Sequence, residues 1–337
     1  MLNIRFKPFL KTQYGEIYLK DSIDVLKRMP DNSVDLVMTS PPFGLIKKKE
    51  YGNADSSEYL DWFRPFAKEI YRVLKPSGSL VIDIGGSWNK GTPTRSLYHF
   101  KLMIMLCDEY KFFLAQEFYW WNPAKLPTPA EWVNIRRIRV KDAVNTVWWF
   151  SKTEYPKASN RRVMLPYSDS MENLLKNGYT AKKRPSGHDI SENFSKNNGG
   201  SIPPNLLAIA NTESNDRYTK YCNEHNLKVH PARFPSELPE FFVRMLTNEG
   251  DIVFDPFGGS CITGAVCEKL HRSWICSELV KEYLEGAKCR FSSVEDKRSG
   301  VSSYSLSNPS ANWSGIPNDV IPEDGGKQRP KKKESLE

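Results

Sequence analysis

The chain of 337 residues has no run approaching 18 uncharged apolar residues, so its sequence offers no membrane-spanning helix. Its amino terminus, Met1 to Tyr14, alternates charged and apolar residues and lacks the apolar centre of a secretory leader, which points to a cytoplasmic protein. Cysteines are few and badly spaced for chemistry: six in all, with no Cys-x-x-Cys pair, and the five histidines show no ligand spacing. That pattern excludes a zinc module and a disulfide scaffold, and predicts buried, reduced thiols and no metal. No glycine loop ends in Gly-Lys-Ser/Thr, which argues against a nucleoside triphosphate as ligand. With 39% hydrophobic residues, the chain has enough apolar content for one large α/β domain plus an inserted module.

Charge is unevenly spread. The net charge is +8, and between Arg136 and Lys196 there are 13 Lys or Arg against 6 Asp or Glu, so +7 falls within 61 residues. A surface of that sign reads as a footprint for a polyanion, and duplex DNA is the natural partner.

The most informative motif is Thr39-Ser40-Pro41-Pro42-Phe43, directly after the apolar run Asp35-Leu36-Val37-Met38. Two prolines stop a strand in a stiff, extended corner. That corner carries the Ser40 hydroxyl, carbonyl acceptors and an aromatic face. The set suits a planar heterocycle with an exocyclic amino group, a nucleobase. Taken alone the tetrapeptide Ser40 to Phe43 is also compatible with a plain proline turn. A second motif lies more than two hundred residues on, where the strand Asp251-Ile252-Val253-Phe254 runs into Asp255-Pro256-Phe257-Gly258-Gly259-Ser260 and a helix from Cys261 to Leu270. Glycines there let backbone approach a ligand at a strand's carboxyl end. The following strand, Ser273 to Cys276, ends in Ser277-Glu278, where an acid at that spacing can accept hydrogen bonds from ribose hydroxyls.

Together the two motifs resemble the signatures of the amino-group DNA methyltransferases that use S-adenosylmethionine: Ser/Asp/Asn-Pro-Pro-aromatic and Asp-Pro-Phe-x-Gly-Ser. The catalytic motif precedes the cofactor loop, which is similar to the permuted, β-type arrangement. Ser at position 40 marks the N4-cytosine branch. The likeness runs over about residues 14 to 292 and is closest to the PvuII-type enzymes of restriction-modification systems, through segments such as Lys47 to Asn53, Val140 to Lys152 and Asn197 to Asn205. It implies a prokaryotic enzyme moving a methyl group from S-adenosylmethionine to the N4 of a flipped cytosine in double-stranded DNA. Acting as a monomer or weak dimer, it would shield host DNA from a restriction endonuclease that shares the site without needing to bind it. By the same resemblance Ser40, Pro41, Pro42 and Phe43 are catalytic, while Asp21, Phe234, Asp255, Phe257, Gly259, Ser260 and Glu278 hold the cofactor. In one respect the chain departs: the family loop usually continues Gly-Thr-Thr, whereas here Cys261-Ile262-Thr263 follows, which predicts a backbone slightly farther from the cofactor's methionine end. Asp21 could equally cap a helix, and Phe234 could be a core aromatic. An N6-adenine methyltransferase, or a DNA-binding protein without catalysis, remain the alternatives.

Strand and helix signals alternate as a doubly wound, Rossmann-like sheet demands. Strands are expected at 16–19, 35–39, 79–84, 112–121 and 144–151, helices at 22–29 (capped by Ser22), 57–74, 94–109 and 237–247 (capped by Ser236), with a turn at Lys75-Pro76-Ser77-Gly78. The catalytic half covers residues 14–122 and the cofactor half 230–291. Between them, 123–229 reads as an inserted DNA-recognition region with Arg136, Arg137, Arg139, Lys182, Lys183 and Arg184 as its contacts. Residues 292–337 read as a disordered tail.

Overall fold

A computed structural model describes residues 2–44, 56–178, 196–211 and 216–292. Lys182, Lys183 and Arg184, the segment Lys47 to Asn53 and all but the first residue of the expected disordered tail lie outside the described residues.

Nine strands form one mixed sheet: β1 (Leu10–Lys11), β2 (Gly15–Leu19), β3 (Val34–Thr39), β4 (Leu74–Ile84), β5 (Phe113–Trp121), β6 (Val144–Ser151), β7 (Leu206–Ala208), β8 (Ile252–Asp255) and β9 (Ser273–Glu278). Their spatial order is β1-β2-β9-β8-β3-β4-β6-β5-β7. The run from β2 to β4 is parallel, while β6 joins β4 and β5 antiparallel. β3 is buried at every residue, as a central parallel strand covered on both faces must be. Alternate side chains feed two cores. Leu36, Met38, Val81 and Trp149 pack under α6 (Glu237–Leu246) and α7 (Ile262–Lys269), while Val37, Leu80, Ile82 and Phe150 pack under α2 (Tyr59–Val73) and α3 (Tyr98–Asp108). α2 turns Tyr59, Phe63, Phe66, Ala67, Ile70 and Val73 inward, the i, i+4, i+7 spacing of one helix face. This is the α/β sheet expected, with an antiparallel flank. None of the described helices is long and apolar enough to cross a membrane.

Local differences have physical reasons. Asp21, not Ser22, caps α1 (Ser22–Leu26): its carboxylate accepts the Ile23 N–H at 2.8 Å, and Ser22 is buried as the first helical residue. Ser236 occupies the cap position of α6 but makes no capping bond. Lys75 to Gly78 does not end a turn before a new strand. β4 is one strand whose pairing with β3 jumps from Val34↔Leu74 to Leu36↔Ser79, so the turn residues bulge out of a continuous ladder. In the 123–229 stretch β6 and β7 join the sheet, and α4 (Asp169–Asn177) and α5 (Arg217–Glu224) form where no helix was expected.

The bulge has a function in the packing. Lys75 reaches the buried Asp35 carboxylate at 2.8 and 3.0 Å, Lys157 approaches it at 3.6 Å, and the Ile252 N–H donates to it at 2.9 Å. Lys157 also pairs with Asp251 at 2.5 Å. Asp35 thus ties β4, β8 and the chain after β6 to β3. Replacing it takes the Ile252 N–H's acceptor away and leaves the buried Lys157 with Asp251 alone, while the part-exposed Lys75 can turn to water; breaking a buried pair from one side is the costly way to lose it. Asp35→Ala is expected to lower the unfolding free energy by about 3 kcal/mol in urea titration; a loss below about 1 kcal/mol would assign the cluster a minor role.

Candidate active site at the carboxyl edge of the sheet

The parallel strands end on one edge. From β3 the chain crosses to β4 on one side, and from β8 to β9 on the other, so the crevice between β3 and β8 is the switch point at which open α/β sheets bind ligands. A cavity of about 470 Å³ lies there. Ser40, Pro41, Pro42 and Phe43 line it, and so do Asp21, Phe234, Phe257, Gly259, Ser260 and Glu278. Asp255 does not. Its buried carboxylate accepts from Thr39 Oγ1 and Thr263 Oγ1, both at 2.7 Å, and from the Phe257 N–H at 3.1 Å. It fastens the end of β3 to the loop after β8 and to α7. Burial pushes the Asp255 carboxyl up to about 6, against the pull of those three donors.

Glu278 is held in the same style. One oxygen accepts the Gly259 N–H at 2.9 Å, and the other the N–H groups of Leu279 and Val280 at 2.8 and 2.9 Å. Three of a carboxylate's four lone-pair sites are thereby taken, leaving one for a ligand. Burial raises its pKa while those N–H groups oppose the rise. Gly259 has φ +52°, and a Cβ there would come within 3.0 Å of the His230 ring, so the loop needs glycine at this point. Phe257 stacks among Phe66 and Trp62, with ring centroids at 5.0 and 5.6 Å. Arg290 Nε donates to the Ser260 carbonyl at 3.0 Å. Cys261, where the sequence departs from the expected glycine, has a left-handed backbone (φ +56°) and a fully buried thiol, and stays out of the cavity lining.

The structure adds a group the sequence reading passed over. Ser40 Oγ donates to Asp83 Oδ2 at 3.1 Å, and Asn145 Nδ2 donates to Asp83 Oδ1 at 3.3 Å. Asp83 ends the apolar stretch of β4, and burial lifts its carboxyl from 3.8 to about 7, offset in part by those two donors and by the Lys125 charge. Lys125 and Asn145 both face the cavity, and burial lowers the Lys125 pKa. The available signal was an acid within an otherwise apolar strand, Leu80-Val81-Ile82-Asp83-Ile84. Phe43 owes its seat to Gly85, where a Cβ would lie 2.5 Å from the ring. Of the basic residues, Arg136 and Arg137 are exposed on the loop between Lys125 and Asn145, Arg136 paired with Glu131 at 2.8 Å, whereas Arg139 stacks on Trp88, 3.8 Å from the ring centroid, and donates to the Pro93 carbonyl.

The sequence matches the DNA methylase family over residues 34–289. It is 56% identical over 294 residues to the type II methyltransferase M.PvuII of Proteus hauseri, spanning 86% of this chain and 88% of that protein. The type II methyltransferase M.BamHI of Bacillus amyloliquefaciens is 30% identical over 279 residues, 81% of this chain and 56% of its own length. Among solved structures, the PvuII DNA methyltransferase (cytosine-N4-specific) superposes with a TM-score of 0.71 at 47% identity, covering 89% of this chain and 92% of that one.

Asp83 makes stability depend on pH. Its pKa is raised in the fold, so the native state binds that proton more tightly than the unfolded chain does. The stability this gives is complete below 3.8 and is lost as pH rises through about 7. An asparagine keeps the bonds, accepting from Asn145 through its oxygen and donating to Ser40 through its nitrogen. The melting-temperature advantage of Asp83→Asn over the unaltered protein should therefore widen between about pH 4 and about pH 7 and level off above that in calorimetry. A gap independent of pH would mean that Asp83 does not titrate in this window.

Proposed function

The chain belongs to the N6/N4 DNA methylase family, and from that premise we propose that it is a site-specific, cytosine-N4 DNA methyltransferase of a type II restriction-modification system. The observation that carries the cytosine reading is Ser40 at the head of the Pro-Pro-Phe corner, with its hydroxyl aimed at Asp83. Similarity to a solved enzyme whose title specifies cytosine N4 supports it.

S-adenosylmethionine fits the residues of the cavity. Glu278 keeps one free acceptor site for a ribose hydroxyl, and Asp21, at the end of the neighbouring strand β2, supplies an acid toward the adenine amino group. Phe234 and Phe257 offer apolar faces, and Gly259 lets the loop approach closely. Asp255 acts through the loop it fastens. When bound, the cofactor supplies an activated methyl group on a sulfonium centre.

The N4 nitrogen of cytosine is a poor nucleophile because its lone pair is delocalised into the ring. Ser40 Oγ and the Pro41 carbonyl accept its two N–H protons and orient it, and Phe43 stacks on the extruded base. As N4 gives up a proton to Ser40 Oγ, the serine's own proton moves to Asp83 Oδ2. Asp83 with a pKa of about 7 is matched to that exchange near neutral pH. A base inside a duplex cannot reach this crevice, so the target must leave the stack, at a cost of a few kcal/mol that stacking on Phe43 partly offsets. Exposed Arg136 and Arg137 hold phosphates of the DNA. Methylation of the recognition site shields host DNA from a nuclease reading the same sequence.

Incubation with DNA and S-adenosylmethionine, followed by mass spectrometry of the nucleosides, should yield N4-methylcytosine. N6-methyladenine would overturn the base assignment, and no methylated base would overturn the activity. Ser40→Ala is expected to cut turnover by about 100-fold or more while DNA and cofactor affinities change little. Turnover of the unaltered protein should fall as pH drops below about 7, and Asp83→Asn should lose that limb along with most activity.

A further inference from the structure

One feature of the cavity rim is unexplained by cofactor binding or by methyl transfer. Asn122 and Lys125 at one end, and Ala143 and Asn145 at the other, line the cavity, and the chain between them projects as a loop. The loop is ordered by its own bonds. Lys141 Nζ donates to the Lys125 carbonyl at 2.9 Å, Asn134 Nδ2 to Pro127 at 3.0 Å, and the Ile138 N–H to Trp132 at 3.0 Å. A wide helical turn, Glu131–Ile135, leads to the tip, where Arg137 takes φ +54° and reverses the chain between Ile135 and Ile138. Its base is anchored by the Arg139 stack on Trp88 and by Arg95 on Asp142 at 2.6 Å.

Despite this order, Ile135 is 70% exposed and Ile138 59%, with Leu126 and Val140 at 75% and 85% nearby. Single exposed aliphatics need no explanation, but a group of them on one fixed loop marks a contact surface. Its occupant must accept apolar side chains and also the positive charge of Arg136 and Arg137, which sit between the two isoleucines. A second copy of this chain fits less well: Arg136 already holds Glu131 at 2.8 Å, so a symmetric contact would set Arg137 against its own counterpart. A base-stacked duplex fits both halves: phosphates outside, an apolar stack within.

On the reading of the protein as a base-extruding DNA methyltransferase, we propose that Ile135 and Ile138 form a wedge. It enters the base stack as the target cytosine leaves, filling the gap, while Arg136 and Arg137 grip the flanking phosphates. Aliphatic side chains are known to unstack base steps in this way, and the loop that carries the wedge is rooted at Lys125 and Asn145 in the lining of the pocket that receives the base.

The test compares the unaltered protein with I135A/I138A and I135L/I138L on two duplexes. One is matched. In the other, inosine replaces the guanine opposite the target, removing one hydrogen bond of the pair and leaving its major-groove edge unchanged. The alanine variant should lose about tenfold in kcat/KM on the matched duplex and recover most of it on the inosine duplex, with the leucine variant near the unaltered protein. Fluorescence of 2-aminopurine beside the target should show less unstacking by the alanine variant. Equal loss on both duplexes, or an unchanged rate accompanied by a shift in oligomeric state by sedimentation, overturns the wedge alone. Absence of methylation by the unaltered protein overturns the methyltransferase reading and the wedge with it.

Discussion

The Asp255 carboxylate is the point on which the site depends. β3 and β8 are neighbours in the sheet but come from chain segments more than two hundred residues apart, and past their paired residues the ladder no longer fixes them. Asp255 takes over at that point, accepting from Thr39 at the end of β3, Thr263 in α7 and the Phe257 N–H in the loop. Ser40 follows Thr39 directly, and Gly258 to Ser260 lie between Phe257 and α7. One buried acid therefore sets the position of the base-binding corner relative to the cofactor loop. Its raised pKa measures what that arrangement costs: a charge taken out of water and held by three donors.

Asp83 shows the same physics put to a different use. It too is buried, but its partners are a serine that faces the cavity and an asparagine from β6. Two hydrogen bonds and a distant lysine oppose its burial where three donors oppose that of Asp255, and burial raises both carboxyls. A carboxyl balanced near neutrality beside a cavity suits proton exchange. A better-satisfied carboxyl out of reach of the cavity suits fastening. Glu278, locked by three N–H groups with one lone pair to spare, is built for accepting a hydrogen bond.

The sequence made plain those parts of the site whose chemistry is contiguous. Ser40 to Phe43 and Phe257 to Ser260 are local motifs at strand ends, and the structure brings both to one cavity with Glu278, Asp21 and Phe234. Asp83 was a lone acid in Leu80 to Ile84 with nothing local to say what it meets, and Asn145 sits beside Thr146 at the start of β6 with no motif around it. Their meeting depends on β6 pairing antiparallel with β4, which no local pattern states. The fold class followed from alternating periodicities. The β4 bulge did not, since Lys-Pro-Ser-Gly carries full turn chemistry and only the Lys75–Asp35 pair and the resumed ladder reveal that the strand continues. The Asp21 cap was open to either reading from sequence, and the structure gives one carboxylate both positions: a helix cap and a place in the cavity lining.

Cys261 has one more consequence. A side-chain-bearing residue in the left-handed region gives up about 1 kcal/mol that glycine would not, and its buried thiol regains some of that by packing. A glycine at this turn would have more backbone freedom to lose on folding, although the Asp255, Glu278 and Ser277 bonds would still hold the loop. Cysteine, seated in the core, adds a side-chain anchor to those bonds, so less motional freedom remains to be surrendered on capture. The loop behaves less like a hand that closes than like a mould already set.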